Sequence, residues 1–204
     1  MGSREGPAAA FGEALLFFRR FLRSPRTVGA IAPSSRFLAR AMVDSMEVGS
    51  ETRVVEFGPG TGAFTAVLGE SLPQGARYLG IERDPAFVAA LQARFPDLAF
   101  SCGSVEGLLD VAGGHDLLPL DAIISGLPFA SLPQATTLGI LRAAYQALRN
   151  GGSFVTFQYV HAYPLPAAVK FRREMSRLFG KSIGRRMVFS NLPPAFVLVW
   201  RKDS

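Results

Sequence analysis

The sequence lacks the features that mark secreted or membrane-spanning proteins. Its single cysteine, Cys102, excludes a disulfide framework and fits a reducing compartment. No uninterrupted apolar run reaches the roughly 18 residues that a membrane-spanning helix needs. The first residues lack the charged region, long apolar run and small-residue cleavage site of a secretory signal. These absences predict a protein that stays in the cytoplasm.

Hydrophobic residues make up 49% of the 204 residues, which is enough for one globular domain with a sizeable core. We expect a leader with an amphipathic helix over 1–26 and the domain itself over 27–204. Residues 1–40 carry seven basic side chains against two acids, residues 41–164 six against twelve, and residues 165–204 nine against two. Basic flanks around an acidic centre predict a polyanionic partner, either nucleic acid or an anionic membrane.

The stretch 54–62 carries the most informative motif in the chain. An apolar run ends in Glu56, and three glycines follow at alternate positions: Gly58, Gly60 and Gly62. An apolar run before a glycine-rich turn and a helical segment indicates a buried strand that leads into a helix. Glycine permits positive φ and has no Cβ, so a nucleotide-like ligand can lie directly against the backbone here.

Two kinds of nucleotide fit this loop. The spacing Gly58-x-Gly60-x-x-Ala63, with Glu82 about twenty residues further on, matches the dinucleotide fingerprint. We expect Glu56 to point into the same cleft, where its carboxylate would repel a pyrophosphate and suit a ligand that carries an ammonium and a sulfonium. The spelling Glu-x-Gly-x-Gly-x-Gly resembles the cofactor loop of Rossmann-like methyltransferases, and this resemblance implies S-adenosylmethionine as the cofactor.

Strand-like and helix-like segments alternate through the rest of the chain. This rhythm predicts an α/β fold with a doubly wound, mostly parallel sheet, whose ligands lie at the carboxyl ends of the strands. A proline-containing turn near the end predicts a terminal antiparallel hairpin. The expected strands after the first are 78–82, 99–101, 121–125, 153–159, 186–190 and 196–200, and the expected helices are 36–46, 63–72, 85–94 and 133–148.

The methyltransferase resemblance assigns further cofactor contacts. Glu82, at the end of the second strand, would accept hydrogen bonds from the ribose hydroxyls. Arg83 would lie over the adenine or remain solvated. The loop after the third strand would hold the adenine edge, often through an aspartate that is replaced here by Ser104. The expected members of this loop are Gly103, Ser104 and Val105.

A loop of small residues precedes the first strand, over 28–35. It contains a proline and two hydroxyl side chains, Ser34 and Ser35. One of these serines is expected to cap the following helix. The loop is also placed to close over the cofactor, so both serines are candidate cofactor contacts.

The segment Ser125-Gly126-Leu127-Pro128-Phe129 follows the fourth strand, where the methyl group must meet its acceptor. It looks like a shortened N-P-P-Y or N-L-P-Y element of amino-group methyltransferases. In that element an Asn or Asp side chain and a proline-fixed carbonyl accept hydrogen bonds from the target amine. We expect Ser125 and Pro128 to take part in catalysis, and Ser125 and Gly126 to contact the cofactor. Phe129 is expected to stack on a base or pack against a cationic amine, with an ordinary turn as the alternative for the whole segment.

Two residues at the end of the fifth strand are candidates for handling a proton. An ammonium must lose its proton before its nitrogen can attack, and Tyr159 and His161 are the nearest groups able to hold or accept it. Histidine titrates near neutral pH, although a histidine after a strand is often structural. No metal is expected, and the protein is expected to act as a monomer.

Five motifs in order resemble the bacterial phospholipid N-methyltransferases: those at 29–35, 56–62, 125–129, 157–159 and 191–195. The resemblance implies stepwise conversion of phosphatidylethanolamine to phosphatidylcholine, with relatives that act on ornithine lipids. It also implies a peripheral position on the inner face of the cell membrane. The alternative is an RNA adenine methyltransferase, disfavoured by the missing Asn or Asp before Leu127 and by the lack of a separate RNA-binding domain. A module without catalysis is disfavoured by the intact glycines and Glu82.

Two segments are candidates for contact with the membrane. Residues 11–23 form an amphipathic pattern that suits either an interfacial helix or a helix packed on the core, and the family resemblance favours the first. The segment 166–186 is expected to be a helix-like basic insert that meets lipid phosphates. The candidate contacts are Phe17, Phe18, Phe21, Arg19, Arg20 and Arg23 in the first segment and Lys170, Arg173 and Arg177 in the second.

Overall fold

A seven-stranded sheet with helices on both faces forms the part of the chain that a computed structural model describes, residues 35–203. The strands are β1 (Arg53–Phe57), β2 (Arg77–Glu82), β3 (Ala99–Cys102), β4 (Leu120–Ser125), β5 (Leu148–Tyr159), β6 (Gly184–Val188) and β7 (Ala195–Arg201). The helices are α1 (Arg36–Val43), α2 (Ala63–Ser71), α3 (Pro85–Arg94), α4 (Leu108–Gly114), α5 (Gln134–Ala147) and α6 (Pro166–Phe179), with short 3-10 turns at Val105–Gly107 and Phe129–Ser131.

The strand order is β3-β2-β1-β4-β5-β7-β6, which confirms the predicted doubly wound sheet. The first five strands are parallel, and β7 is antiparallel to both β5 and β6, as predicted for a terminal hairpin. The chain reverses its direction across the sheet between β1 and β4, which is where ligands bind in open α/β sheets. Phe57 at the end of β1 lies opposite Ser125 at the end of β4.

The alternation of side chains along the buried strands divides the core in two. On β1, Val55 and Phe57 face one layer, which packs against α4, α5 and α6. Val54 faces the other layer, which packs against α1, α2 and α3. Because both faces of the central strands are covered, these strands are apolar on both sides rather than alternating in polarity.

Several boundaries differ from the sequence-based prediction. Strand β5 begins at Leu148, so the expected turn over 150–152 lies within the strand, and Gly151 has a φ of +74°. The expected helix over 36–46 ends at Val43. The prediction of a helix-like insert through 186 is wrong beyond Phe179, since Arg185 and Arg186 belong to the edge strand β6.

Helix α1 is tied to the loop between β6 and β7. Ser35 caps the helix by accepting a hydrogen bond from the Leu38 N–H at 3.2 Å, as predicted for one of the two serines. The Ser35 N–H donates to Oδ1 of Asn191 at 2.8 Å, and the Asn191 amide donates to the Pro193 carbonyl at 2.6 Å. Asn191 is 1% exposed, so this link is internal to the fold.

None of the helices in residues 35–203 combines the length and the apolar character that crossing a bilayer requires.

Candidate active site

The glycine loop after β1 takes the backbone form that the sequence predicts. Gly58, Gly60 and Gly62 have φ values of +66°, +57° and +81°, all in the left-handed region that favours glycine. A Cβ on Gly58 would lie 2.8 Å from the Leu127 side chain, and one on Gly62 would lie 2.8 Å from Phe95. The loop therefore needs glycine both for its conformation and for its close packing.

Glu82 lies at the carboxyl end of β2, beside this loop. Its Oε2 accepts a hydrogen bond from the Gly60 N–H at 3.0 Å, and its Oε1 accepts one from the Asp84 N–H at 2.9 Å. The carboxylate is thereby fixed against the glycine loop. Each carboxylate oxygen can accept more than one hydrogen bond, so this position also suits contacts with ribose hydroxyls. That contact stays a prediction.

Glu56 is placed differently from the prediction. It is fully buried on the face of the sheet under α2, where its Oε2 accepts hydrogen bonds from the hydroxyls of Thr65 at 2.8 Å and Tyr78 at 2.6 Å. The expectation that it points into an open cleft is wrong, because side chains alternate along the strand and Glu56 shares the face of Val54. Burial raises the pKa of the Glu56 carboxyl to about 7, against the lowering effect of its two hydrogen bonds.

The loop after β3 joins the same edge of the sheet. The Gly103 N–H donates to the Glu82 carbonyl at 2.9 Å, which places the loop next to the end of β2. The Ser104 hydroxyl accepts from the Glu106 N–H at 3.3 Å and lies 3.2 Å from the Glu106 carboxylate, so it caps the 3-10 turn. Val105 is 7% exposed and its side chain packs in the core, so only its backbone is placed to contact the cofactor, and that contact stays a prediction. Arg83 is exposed.

The segment after β4 is more buried than the sequence predicts. Ser125 is fully buried; its hydroxyl accepts from the Leu127 N–H at 3.3 Å, and its carbonyl accepts from the Thr156 hydroxyl at 3.1 Å. The Ser125 side chain is therefore held inside the fold, and its role in catalysis or cofactor binding stays a prediction. The Gly126 N–H donates to the Phe57 carbonyl at 3.1 Å, which holds the segment against the end of β1.

Pro128 and Phe129 complete this segment. Pro128 is half-buried, and its carbonyl accepts from the Ser131 N–H at 2.8 Å within the following turn. Phe129 is 6% exposed and stacks on Phe171 of α6, with ring centroids 4.7 Å apart and planes 16° apart. The expectation that Phe129 stacks on a substrate is wrong, because its ring belongs to the core.

The structure brings Tyr159 and His161 together at the end of β5. Their rings are stacked with centroids 5.7 Å apart, and the His161 side chain is exposed. Burial raises the pKa of the Tyr159 phenol to about 12, so the phenol stays protonated near neutral pH. Tyr159 can therefore hold an amine through hydrogen bonds, and its part in holding or accepting the proton stays a prediction. Phe157 packs edge-on against Tyr159 at 5.4 Å.

The basic residues of α6 divide between two environments. Lys170, Arg173 and Arg177 are exposed, and their spacing puts them on one side of the helix. Lys170 donates to the Gln134 side chain at 2.6 Å, and Arg177 pairs with Glu174 at 2.9 Å.

Arg172 turns inward from the same helix. Its guanidinium lies 3.6 Å from the centre of the Tyr163 ring and donates to the Gln158 side chain at 2.6 Å. Burial lowers the pKa of the Arg172 guanidinium from its usual value. Arg172 is therefore a packing residue and does not belong to the exposed basic side.

The candidates in the first 34 residues lie outside the described part of the chain. They are Phe17, Phe18, Arg19, Arg20, Phe21, Arg23 and Ser34.

Comparisons with known proteins agree with this geometry. A family model described as a methyltransferase domain matches residues 55–154, from β1 into β5. An ornithine lipid N-methyltransferase from Singulisphaera acidiphila is 32% identical over 142 residues, which cover 68% of this chain and 74% of that protein.

The chain belongs to the Rossmann-like S-adenosylmethionine-dependent methyltransferases of lipid type.

Solved structures share the methyltransferase fold. Burkholderia thailandensis 1,6-didemethyltoxoflavin-N1-methyltransferase, with bound 1,6-didemethyltoxoflavin and S-adenosylhomocysteine, superposes with a TM-score of 0.64 at 16% identity, over 100% of this chain and 93% of that chain. Aeropyrum pernix fibrillarin, with natively bound S-adenosyl-L-methionine, gives a TM-score of 0.61 at 14% identity, over 81% and 74%. Sequence identities this low establish only that the proteins share a fold.

S-adenosylmethionine is the cofactor of this methyltransferase, and the carboxyl edge of the sheet fits it. The glycine loop offers bare backbone beside Glu82, while a Cβ added at Gly103 would meet no atom within 4 Å. A cradle of glycines next to a fixed carboxylate suits an adenosyl group that carries hydroxyls and a positive charge. Membership of the methyltransferases, rather than the loop geometry, excludes the dinucleotide alternative.

The sequence analysis missed three residues that pack around Glu56 on the sheet face beside the glycine loop. Thr65 and Tyr78 hold Glu56, and Gly80 makes room for them, since a Cβ there would lie 2.8 Å from the Tyr78 hydroxyl and 2.7 Å from Phe100. The alternation of side chains along β2 could have revealed two of them, because it puts Tyr78 and Gly80 on the same face of the sheet.

Proposed function

We propose that this methyltransferase methylates the amino headgroup of a membrane phospholipid, converting phosphatidylethanolamine towards phosphatidylcholine. The observation that carries the proposal is the 32% identity to an ornithine lipid N-methyltransferase, a protein whose name states an amine-bearing lipid as substrate. The buried Ser125 adds support, since the segment after β4 presents no Asn or Asp side chain to hold a planar base amine.

The enzyme's contribution to the reaction is mainly positional. When bound, S-adenosylmethionine supplies a methyl group that its sulfonium has already activated. The glycine loop and Glu82 fix the orientation of the cofactor, and the segment 125–128 borders the acceptor. Holding the amine lone pair in line with the methyl–sulfur bond, in a site that excludes water, accounts for most of the acceleration.

Tyr159 and His161 divide the handling of the amine. The Tyr159 phenol, which stays protonated because its pKa is about 12, offers its oxygen as an acceptor to the ammonium N–H. His161 stacks beside it and is exposed, so its imidazole takes the proton and returns it to solvent. The amine nitrogen is then free to attack.

The exposed basic side of α6 binds the anionic leaflet of the membrane. Lys170, Arg173 and Arg177 together present three positive charges, each worth about 1 kcal/mol near an anionic surface. With the predicted amphipathic helix over 11–23, they give a reversible, peripheral attachment to the inner face of the cell membrane.

The test is incubation with methyl-labelled S-adenosylmethionine and vesicles that contain phosphatidylethanolamine, followed by chromatography of the lipids. We expect label in methylated phosphatidylethanolamines and phosphatidylcholine. Parallel reactions with ornithine-lipid vesicles and with structured RNA separate the alternatives, and Glu82→Ala is the control without cofactor binding. Label in ornithine lipid alone would replace the proposed headgroup, and label in RNA alone would overturn the lipid proposal.

A further inference from the structure

Large apolar side chains are exposed around the link between α1 and the loop that joins β6 to β7. Phe189 is 76% exposed, Phe37 is 65% exposed and Leu192 is 61% exposed. All three lie within two residues of the Ser35–Asn191 hydrogen bond. Side chains of this size are seldom left in water as a group unless they meet a partner. We refer to Phe37, Phe189 and Leu192 as the rim patch.

The backbone that carries the rim patch is held in place. Asn191 is buried and bonded to both Ser35 and Pro193, and the Val160 N–H donates to the Pro194 carbonyl at 2.8 Å. The loop is thus fastened on its inner side to α1 and to the end of β5. A fastened loop with solvated apolar side chains is a preformed platform rather than a collapsed turn.

The rim patch lies at the catalytic edge of the sheet. Ala195, which follows the loop, pairs with Tyr159 on one side and with Val188 on the other. Tyr159 is the last residue of β5, and the carboxyl end of β5 lies at the same edge of the sheet as the glycine loop. The rim patch therefore lies at the edge of the sheet where Tyr159 and the glycine loop also lie.

Positive charge flanks the rim patch. Arg185 and Arg186 are exposed on β6, within four residues of Phe189. Arg36 is also exposed next to Phe37, but it pairs with Glu70. Aromatic and aliphatic side chains beside arginines suit the boundary between lipid headgroups and acyl chains of an anionic leaflet.

We propose that the rim patch inserts into the interface of an anionic bilayer and turns the catalytic edge towards the lipid headgroups, an inference that rests on the proposed lipid substrate. This contact involves other residues than the predicted helix over 11–23 and the basic side of α6. It explains how a headgroup reaches the site without leaving the membrane: the mouth of the site is pressed against the headgroup layer.

A tryptophan reporter tests the insertion directly in the full chain. The native Trp200 is 1% exposed and gives a constant background, so Phe189→Trp adds one responsive fluorophore. The matched control is Ile183→Trp, because Ile183 is 57% exposed but precedes the other end of β6, where its N–H donates to the Val199 carbonyl. Both variants are titrated with vesicles of phosphatidylcholine and phosphatidylglycerol that contain brominated lipid.

We expect a blue shift and at least a twofold quenching for Phe189→Trp, and neither for Ile183→Trp. If wild-type protein floats with the vesicles while Phe189→Trp shows no shift or quenching, the rim-patch proposal fails and the lipid function stands. If wild-type protein neither floats nor methylates lipid, the proposed function fails. A response of Phe189→Trp to RNA or to added unlabelled protein, without one to vesicles, would also overturn the membrane assignment.

A second pair of variants measures the effect on binding. Phe189→Ser with Leu192→Ser should lower vesicle partitioning at least tenfold, while Ile183→Ser should change it less than twofold. Methylation of a dispersed short-chain amino lipid should stay within twofold of wild type in the double variant, which shows that the site is intact. Equal partitioning of the double variant and wild type would refute insertion.

Discussion

The Tyr78 hydroxyl donates a hydrogen bond of 2.6 Å to Oε2 of Glu56 inside the sheet face that supports the glycine loop. The carboxyl group is completely buried, and its Oε1 has no hydrogen-bond partner among residues 35–203. A carboxylate in this position strongly favours its neutral form. The sheet beside the glycine loop therefore holds a buried group that titrates near neutral pH.

This arrangement predicts that stability falls as pH rises through the neutral range. The Glu56 pKa is 4.5 when unfolded and about 7 when folded, so the native state binds more protons between these values. By linkage, protonation of Glu56 adds about 3 kcal/mol to the free energy of unfolding. This stabilisation is present in full below about pH 4.5 and is lost as pH rises through 7. Glu56→Gln should flatten this dependence in urea denaturation at pH 5 to 8.

The control for that experiment is Glu70→Gln, which removes an exposed carboxylate that pairs with Arg36. It should leave the pH dependence of unfolding in place. An unchanged dependence in Glu56→Gln would show that Glu56 is ionised in the native protein.

Glu82→Ala is expected to abolish cofactor binding. The substitution removes the carboxylate at the end of β2 and also the acceptor that holds the Gly60 N–H. Two lost charge-assisted hydrogen bonds correspond to about a hundredfold or more in affinity. Calorimetry with S-adenosylhomocysteine measures the effect, and Glu70→Ala serves as the control; equal affinity in Glu82→Ala and wild type would contradict the ribose assignment.

Gly58→Ala should destabilise the fold and the cofactor loop together. Its φ of +66° strains an alanine, and the new Cβ would lie 2.8 Å from Leu127. We expect a loss of about 2 kcal/mol and a fall in Tm of roughly 4–8 °C. Gly107→Ala is the matched control, because its φ is −89° and a Cβ there meets nothing within 4 Å. Equal Tm values for the two variants would refute the strain argument.

Tyr159→Phe and His161→Gln should affect methylation in different ways. The Tyr159 phenol stays protonated below its pKa of about 12, so its loss should lower kcat/KM about tenfold at every pH from 6 to 9. His161→Gln should instead lower kcat, and added imidazole should restore part of it, because the imidazole replaces the group that takes the proton. Restoration of Tyr159→Phe by imidazole, or no restoration of His161→Gln, would contradict the two roles.

Neutralising the exposed side of α6 should weaken vesicle binding. Replacement of Lys170, Arg173 and Arg177 by Gln removes three charges, or about 3 kcal/mol near an anionic surface at low salt. Partitioning should fall about a hundredfold, and the difference from wild type should disappear in 1 M KCl because salt screens it. A difference that persists at high salt would indicate damage to the fold.

The parts of the fold that follow from local pattern could be predicted from the sequence. The glycine spacing and the buried strand before it specify the loop at Gly58, Gly60 and Gly62, and the rhythm of strands and helices specifies the parallel sheet. These features depend on a few neighbouring residues, whose backbone preferences act independently of the rest of the chain.

The predictions that failed depend on distant partners. Phe129 looked available to a substrate because Phe171, which covers it, lies far along the chain on α6. The burial of Val105 and Ser125 could not be foreseen either, because neighbours that no local pattern reveals cause it. Glu56 is different, since simple alternation along β1 with Val54 already places it inside the sheet.

The antiparallel course of β7 separates the two ends of the described chain. Ser35 begins α1 beside the Asn191 loop, whereas Arg201 lies opposite Ser153 at the far edge. A fluorescent protein or surface-tethering tag joined after the last strand would consequently project away from the edge of the sheet that carries the glycine loop.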